Sequence, residues 1–219
     1  MESFFSKEKI ILTGNPVRQD ITNIAAKRDE AFDFFKLDKT KKTILVVGGS
    51  LGAKGINEAM SEGLQSLANQ NIQLIWQTGK TYFEIAKQQT APFESKNIRA
   101  VDFITRMDLA YAFADVVISR AGAGAISELC IVSKPSILVP LPTAAEDHQT
   151  KNAMSLVNKK AALLVKDIEA KTTLITQAIA LINNEALRQE LSKNCGALAL
   201  PNSTSIIAHE VLKLANYVL

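Results

Sequence analysis

Two cysteines and two histidines in 219 residues leave little material for metal or disulfide chemistry. Cys130 and Cys195 stand far apart with no CxxC spacing, and no histidines cluster beside them. A disulfide framework and a structural zinc site are therefore disfavoured, and Cys130 reads as a reduced core thiol on the apolar side of a helix. That usage fits a cytosolic compartment. Aromatics make up 6% of the chain and none interleave with basic residues, so a stacking platform for single-stranded nucleic acid is not expected. The net charge is +3, and the densest basic run is the short KTKK at residues 39–42, so the sequence predicts a solvated surface rather than a nucleic-acid partner. No apolar run reaches the length of a membrane span, and the N-terminus lacks the apolar core of a signal peptide. Internal repeats and low-complexity segments are also missing.

What is present is an alternation. Apolar, β-branched runs recur at residues 43–47, 72–77, 98–101, 116–119, 136–139 and 162–165. Between them lie helical patterns: Ile56, Ala59, Met60, Gly63, Leu64 and Leu67 share one face, as do Met107, Ala110, Tyr111 and Ala114, and Leu174, Ala178, Leu181 and Ile182. Strands that are apolar throughout are buried on both faces, which predicts a parallel sheet with helices on either side. The expected fold class is α/β, a doubly wound, Rossmann-like, six-stranded parallel sheet. The ends differ. Residues 1–42 offer one short strand candidate at 9–12, a GNP turn and a helix ending near Phe35. Residues 202–219 open with Asn-Ser-Thr, good N-cap chemistry, and carry an apolar stripe of Ile206, Ile207, Val211, Leu214 and Ala215. The organisation expected is a linker with a first helix (1–42), a ligand-binding domain (43–201) and a final helix (202–219).

Three segments carry chemistry. In VVGGSLGAKGIN, residues 46–57, a strand runs into Gly48 and Gly49, and a helix follows. A phosphate-binding P-loop fails for want of its second glycine, and a dinucleotide fingerprint fails because Ser50 and Ala53 stand where glycines are required. What remains is a strand–turn–helix in which Gly49 and Gly52 let backbone approach a ligand. Leu51 lies between them, the Ser50 hydroxyl is available, and the helix start has free N–H groups. That set suits a diphosphate, although a tight turn with no ligand has the same sequence. In ISRAGAGAISEL, residues 118–129, a second strand ends in small residues, with Gly122 and Gly124 in the turn and Glu128 in the helix that follows. A carboxylate there can accept bonds from both hydroxyls of a ribose, or serve as an ordinary helix-face acid. In PLPTAAEDHQTKNA, residues 140–153, the neutral donors and acceptors suit a sugar better than proton transfer, and a polar capping loop is the plain alternative. A nicotinamide enzyme would need an acid about twenty residues after the glycine turn, where the chain reads Ala-Asn-Gln-Asn.

Together with TGNPVR at residues 13–18 and the pair Phe103–Ile104, these segments resemble, in order and spacing, the MurG family of UDP-N-acetylglucosamine–lipid I N-acetylglucosaminyltransferases. The similarity runs from about Ile10 to the last helix. It implies the C-terminal half of a two-domain GT-B enzyme, the half that binds the sugar-nucleotide donor. On that resemblance Gly49, Ser50, Leu51 and Gly52 meet the diphosphate, and Arg18 lies near them at the domain junction. Ile104 offers backbone groups to the uracil edge, and Ala123, Gly124, Ala125 and Ile126 line the nucleotide pocket. Glu128 holds the ribose hydroxyls, while Gln149, with Asn152 beside it, takes those of the N-acetylglucosamine ring. Some members carry a second glutamine where His148 stands.

The resemblance further implies that no catalytic residue lies in this domain. The general base and the lipid-acceptor site belong to an N-terminal domain not found in the chain. No metal or other cofactor is expected, and there is no Asp-x-Asp to hold one. Contact with the inner leaflet of a bacterial cell membrane would be peripheral, on its cytoplasmic face. A stand-alone donor-binding subunit paired with a separate acceptor subunit is the alternative arrangement.

Overall fold

In the computed structural model, residues 6–215 are described. Six strands form one all-parallel sheet: β1 (Thr43–Val47), β2 (Gln73–Gln77), β3 (Ile98–Val101), β4 (Val116–Ser119), β5 (Ser136–Leu138) and β6 (Leu163–Leu164). Nine α-helices are described: α1 (Arg28–Phe35), α2 (Lys54–Asn69), α3 (Phe83–Thr90), α4 (Met107–Phe113), α5 (Ala123–Val132), α6 (His148–Val157), α7 (Ala170–Asn183), α8 (Glu185–Gly196) and α9 (Ser203–Leu214). None is long and apolar enough to cross a membrane.

The strand order is β3-β2-β1-β4-β5-β6, the doubly wound arrangement expected from the alternation. Successive residues of a strand face opposite sides, and both sides are apolar here. Leu45, Ile75, Val117 and Leu138 join one core with α1, α4 and α5, whereas Ile44, Leu74, Trp76, Val116 and Ile118 join the other with α2 and α7. On the second side the bare Cα of Gly63 lets Ile175 of α7 lie against α2. On the first, Ile21, Ala31, Phe32 and Leu37 are buried, so the stretch from residue 21 to 37 is packed onto the sheet's helical layer.

The expected strand at residues 9–12 does not form. Residues 7–9 make a single 3-10 turn, residues 10–18 belong to no strand, with a left-handed backbone at Gly14, and Ile11 and Leu12 are exposed. Both sheet edges, β3 and β6, belong to other segments, and the GNP stretch is held instead by side-chain bonds to α5. Three strands are shorter than their apolar runs: Ile72, Val139, Ala162 and Val165 are buried but lie just outside the paired residues. Gly124 is inside the first turn of α5 rather than in the turn before it. At α9 the Asn202 side chain makes no cap bond, and the Ser203 hydroxyl donates to the Leu200 carbonyl at 2.6 Å. The apolar stripe of α9 is largely uncovered, with Val211 57% and Leu214 86% exposed. Residues 216–219 of the expected last helix lie outside the described residues.

Candidate functional site

The sheet's topology reverses between β1 and β4, where the next strand is added to opposite sides, and ligands in such sheets bind at that crevice. Val47 pairs with Ser119, so the two strands end level with one another. The two small-residue turns singled out in the sequence therefore flank one opening.

On one side Gly49 and Gly52 adopt left-handed φ values of +79° and +84°, which a residue with a Cβ seldom takes. The turn is anchored from behind. The Gly48 N–H donates to the Gln77 carbonyl at 3.0 Å, and Gly52 lies so close to Thr78 that a Cβ would overlap its carbonyl oxygen. Buried Asn57, in the first turn of α2, donates to that same carbonyl at 2.9 Å and accepts the Trp76 indole N–H at 3.0 Å. The anchored loop presents Ser50 and Leu51 outward, both exposed, ahead of an α2 N-terminus whose Ala53 supplies no side-chain cap. Free N–H groups and the positive dipole end remain available there.

On the other side Gly122 precedes α5, again with no side-chain cap. A Cβ built on Gly49, Gly122 or Gly124 meets nothing within 4 Å, in contrast to the crowded Gly48, Gly52, Gly55 and Gly79. Ala123, Gly124, Ala125 and Ile126 make the first turn of α5 and are exposed or half-buried. One turn further, Glu128 is held at both oxygens: Oε1 accepts from Arg18 Nε at 3.1 Å, and Oε2 from the Tyr111 hydroxyl at 2.9 Å. Burial, then the neighbouring Glu128 charge, pushes the Tyr111 phenol well above its ordinary pKa, so it stays a donor. Asn15 donates to the Ser127 hydroxyl at 2.9 Å, laying the GNPVR segment along α5. Arg18, expected near the diphosphate, is thus found on the carboxylate expected at the ribose.

The third segment closes the end of the crevice. Glu146 and Asp147 both take left-handed φ before α6. Asn152 Nδ2 donates to the Ala121 carbonyl at 3.1 Å, and Gln149 Oε1 accepts from the Leu141 N–H at 3.0 Å. Each amide is fixed by one half, leaving the Gln149 NH2 and the Asn152 carbonyl oxygen for a ligand. His148 is exposed, its ring Nδ1 2.8 Å from the Ala145 carbonyl. Ile104 is buried and its N–H donates to Gln77 Oε1 at 3.0 Å, so its carbonyl is the backbone group left to offer. Beside it Phe103 is 53% exposed.

Several contributors escaped the sequence reading. Tyr111 had registered only as a member of an apolar helix face, and Gln77 and Asn57 as parts of a strand and a helix. Arg120 donates to the Val139 and Pro140 carbonyls at 3.1 Å each and pairs with Asp167, joining the ends of β4 and β5 to the turn after β6. Its place directly after an apolar strand, before GAG, was the available signal. Among the described residues no three His, Cys, Asp or Glu side chains gather as a metal site.

The profile of the glycosyltransferase family 28 C-terminal domain matches residues 43–205. Over 215 residues the chain is 52% identical to a Flavobacterium psychrophilum protein, covering 98% of this chain and 58% of that one. That protein is the UDP-N-acetylglucosamine–N-acetylmuramyl-(pentapeptide) pyrophosphoryl-undecaprenol N-acetylglucosamine transferase. The Phocaeicola vulgatus enzyme of the same name is 52% identical over 217 residues, covering 99% of this chain and 58% of its own length. Among solved structures, Acinetobacter baumannii MurG superposes with a TM-score of 0.72 at 30% identity, over 84% of this chain and 53% of that one. The chain thus spans rather more than half the length of these relatives.

Proposed function

The chain belongs to the glycosyltransferase family 28 C-terminal domain family, and from that premise we propose that it is the donor-binding part of an N-acetylglucosaminyltransferase of peptidoglycan synthesis. The donor is UDP-N-acetylglucosamine, and the acceptor is the muramyl-pentapeptide sugar of an undecaprenyl-pyrophosphoryl lipid. The observation that carries the reading is the pair of open glycine turns. Gly49 on one side of the β1/β4 crevice and Gly122 and Gly124 on the other leave empty space where a Cβ would stand. Backbone can therefore come close to a nucleotide from both sides.

In this reading the diphosphate lies at the Gly49–Gly52 turn against Ser50 and the start of α2, and the ribose hydroxyls bond Glu128. The Tyr111 donor keeps that carboxylate oriented, and Arg18 bridges toward the phosphates from the same carboxylate. Ile104 meets the uracil through its carbonyl, and the Gln149 NH2 and Asn152 oxygen meet the sugar. The acceptor 4-hydroxyl attacks the anomeric carbon and loses its proton to a base on the enzyme's other domain, while the bond to UDP breaks. Charge growing on the leaving diphosphate is met by N–H groups that are already fixed in place. Residues 43–201 form the donor domain, and the uncovered face of α9 is directed to the other domain. Membrane contact is peripheral, at the cytoplasmic face, and made through the acceptor half.

Calorimetric titration tests the proposal. The chain should bind UDP without added metal and show no response to NAD, and alone it should transfer no sugar. Glu128→Ala should weaken UDP binding by roughly 1.5–3 kcal/mol, the worth of a charge-assisted hydrogen bond. Binding of NAD, or silence toward UDP, would overturn the reading, and unchanged affinity in the variant would remove Glu128 from the site.

A further inference from the structure

Cys130 on α5 and Cys195 on α8, sixty-five positions apart, face each other with their sulfurs 3.9 Å apart. Both are buried, at 5% and 0% exposure. The helices are held at this distance by two further contacts. Ser192 donates to the Ser133 carbonyl at 2.6 Å, and Gly196 approaches Ser133 so closely that a Cβ would lie 2.5 Å from its hydroxyl. The two thiols differ in access. Cys130 lines a cavity of about 510 Å³ together with Ile126, Ile131, Leu156 and Leu198, whereas Cys195 does not. They also differ in chemistry. The S–H of Cys195 points at Cys130 and holds that thiol below its ordinary pKa against the opposing effect of burial, while the same contact and burial push Cys195 up. Cys130 does not share the side bearing Glu128, since two residues along a helix is a turn of about 200°.

We propose that Cys130 and Cys195 are a redox-modification site, a dithiol that a hydroperoxide converts to an intramolecular disulfide linking α5 to α8. Cys130, the thiol that borders the cavity, attacks the peroxide as thiolate. The O–O bond breaks, Cys130 becomes a sulfenic acid, and an alcohol or water leaves. Cys195 sulfur then attacks the sulfenic sulfur, the S–O bond breaks, and hydroxide departs with the Cys195 proton as water. Two thiols lose two electrons and the peroxide gains them. The sulfurs must close to about 2.05 Å, a movement on the scale of side-chain rotation within the existing helix contact. In a reducing cytosol the resting state is the dithiol, and the disulfide forms under oxidant challenge. Closing a loop of this length limits the unfolded ensemble, so the oxidised chain should melt higher, by about 5–10 °C.

The test treats the folded full chain with hydrogen peroxide, blocks remaining thiols with an alkylating agent and identifies peptides by mass spectrometry. Expected are loss of both alkylation sites, a Cys130–Cys195 cross-linked peptide in monomeric chain, and a raised Tm that dithiothreitol reverses. In Cys195→Ala, a dimedone-type probe should trap sulfenic acid at Cys130 with no cross-link. Overturning results are two thiols still alkylatable after exposure, a cross-link only between chains, or an oxidised chain that melts at the same or a lower temperature. The unmutated chain decides the matter even if the variant folds poorly.

Discussion

A methyl group added at Gly49 and, separately, at Gly52 tests whether the glycine turn is built for its own packing or for a ligand. Both positions hold left-handed backbone, +79° and +84°, so alanine at either costs about 1–2 kcal/mol of conformational strain. Their surroundings differ. At Gly49 the methyl enters empty space, and at Gly52 it overlaps the Thr78 carbonyl oxygen. Thr78 cannot withdraw freely, because Asn57 is bonded to that oxygen and Gly79 packs on Gly52 from the next loop. Relieving the overlap should add about 1–3 kcal/mol, as for other overpacked sites. Urea unfolding should therefore give a loss near 1–2 kcal/mol for Gly49→Ala and roughly 2–5 kcal/mol for Gly52→Ala. Affinity should run the other way for the milder variant. Gly49→Ala keeps its fold yet fills the space assigned to the diphosphate, and should lose at least tenfold in UDP binding, about 1.4 kcal/mol. Equal destabilisation to within about 0.5 kcal/mol would refute the packing argument. Wild-type UDP affinity in Gly49→Ala would refute the placement of the ligand.

Two further substitutions probe the scaffold. Asn57→Ala strands the Trp76 indole N–H and the Thr78 carbonyl without a shared partner in the core, and should cost about 2–5 kcal/mol; the single tryptophan makes its own fluorescence the readout of unfolding. Lys134 donates to the Ala114 carbonyl at 2.7 Å, with Arg28 and Asp115 as its charged neighbours. Burial first, then the Arg28 charge, brings its pKa down to about 8 from 10.5. Between those values the unfolded lysine holds its proton more often than the folded one, so the contribution of Lys134 to stability should rise with pH across that window. Lys134→Met should remove that contribution, on the order of 1–2 kcal/mol between the wild-type and variant pH profiles once solvent screening is allowed for. Urea titrations at pH 7, 8, 9 and 10 would show it, and a variant with an unchanged slope would disprove the assignment.

The legible parts of this protein are those that short stretches of chain decide. Runs such as residues 44–47 and 116–118 are apolar at every position because both faces of a central parallel strand are buried, and they lie in strands β1 and β4. Helix α2 contains its 3.6-residue stripe and extends two residues beyond it at each end, and the Gly-Gly-Ser turn declares itself by residue type. Even the crevice was foreseeable, since two small-residue turns after two strands imply it once the alternation is recognised. The segment at residues 9–12 misled because β-branched residues form a strand only where a sheet edge runs alongside them, and the chain that follows is bonded through Asn15 to α5 rather than to either edge strand.

What the tertiary structure decided is which distant side chains meet. Arg18 and Tyr111 converge on Glu128 across 110 and 17 residues, Gln77 takes the Ile104 N–H, Arg120 gathers the ends of β4 and β5, and Cys130 finds Cys195. No local pattern encodes such pairings. Periodicity records which face of an element is buried, and composition records what chemistry is available. The neighbour across a layer, however, is set by crossover, register and helix packing together. Sequence alone therefore determined the layered sheet, its glycine turns and the family the chain resembles. The partners that orient each site residue, and the meeting of two buried thiols, were decided only when the layers closed on one another.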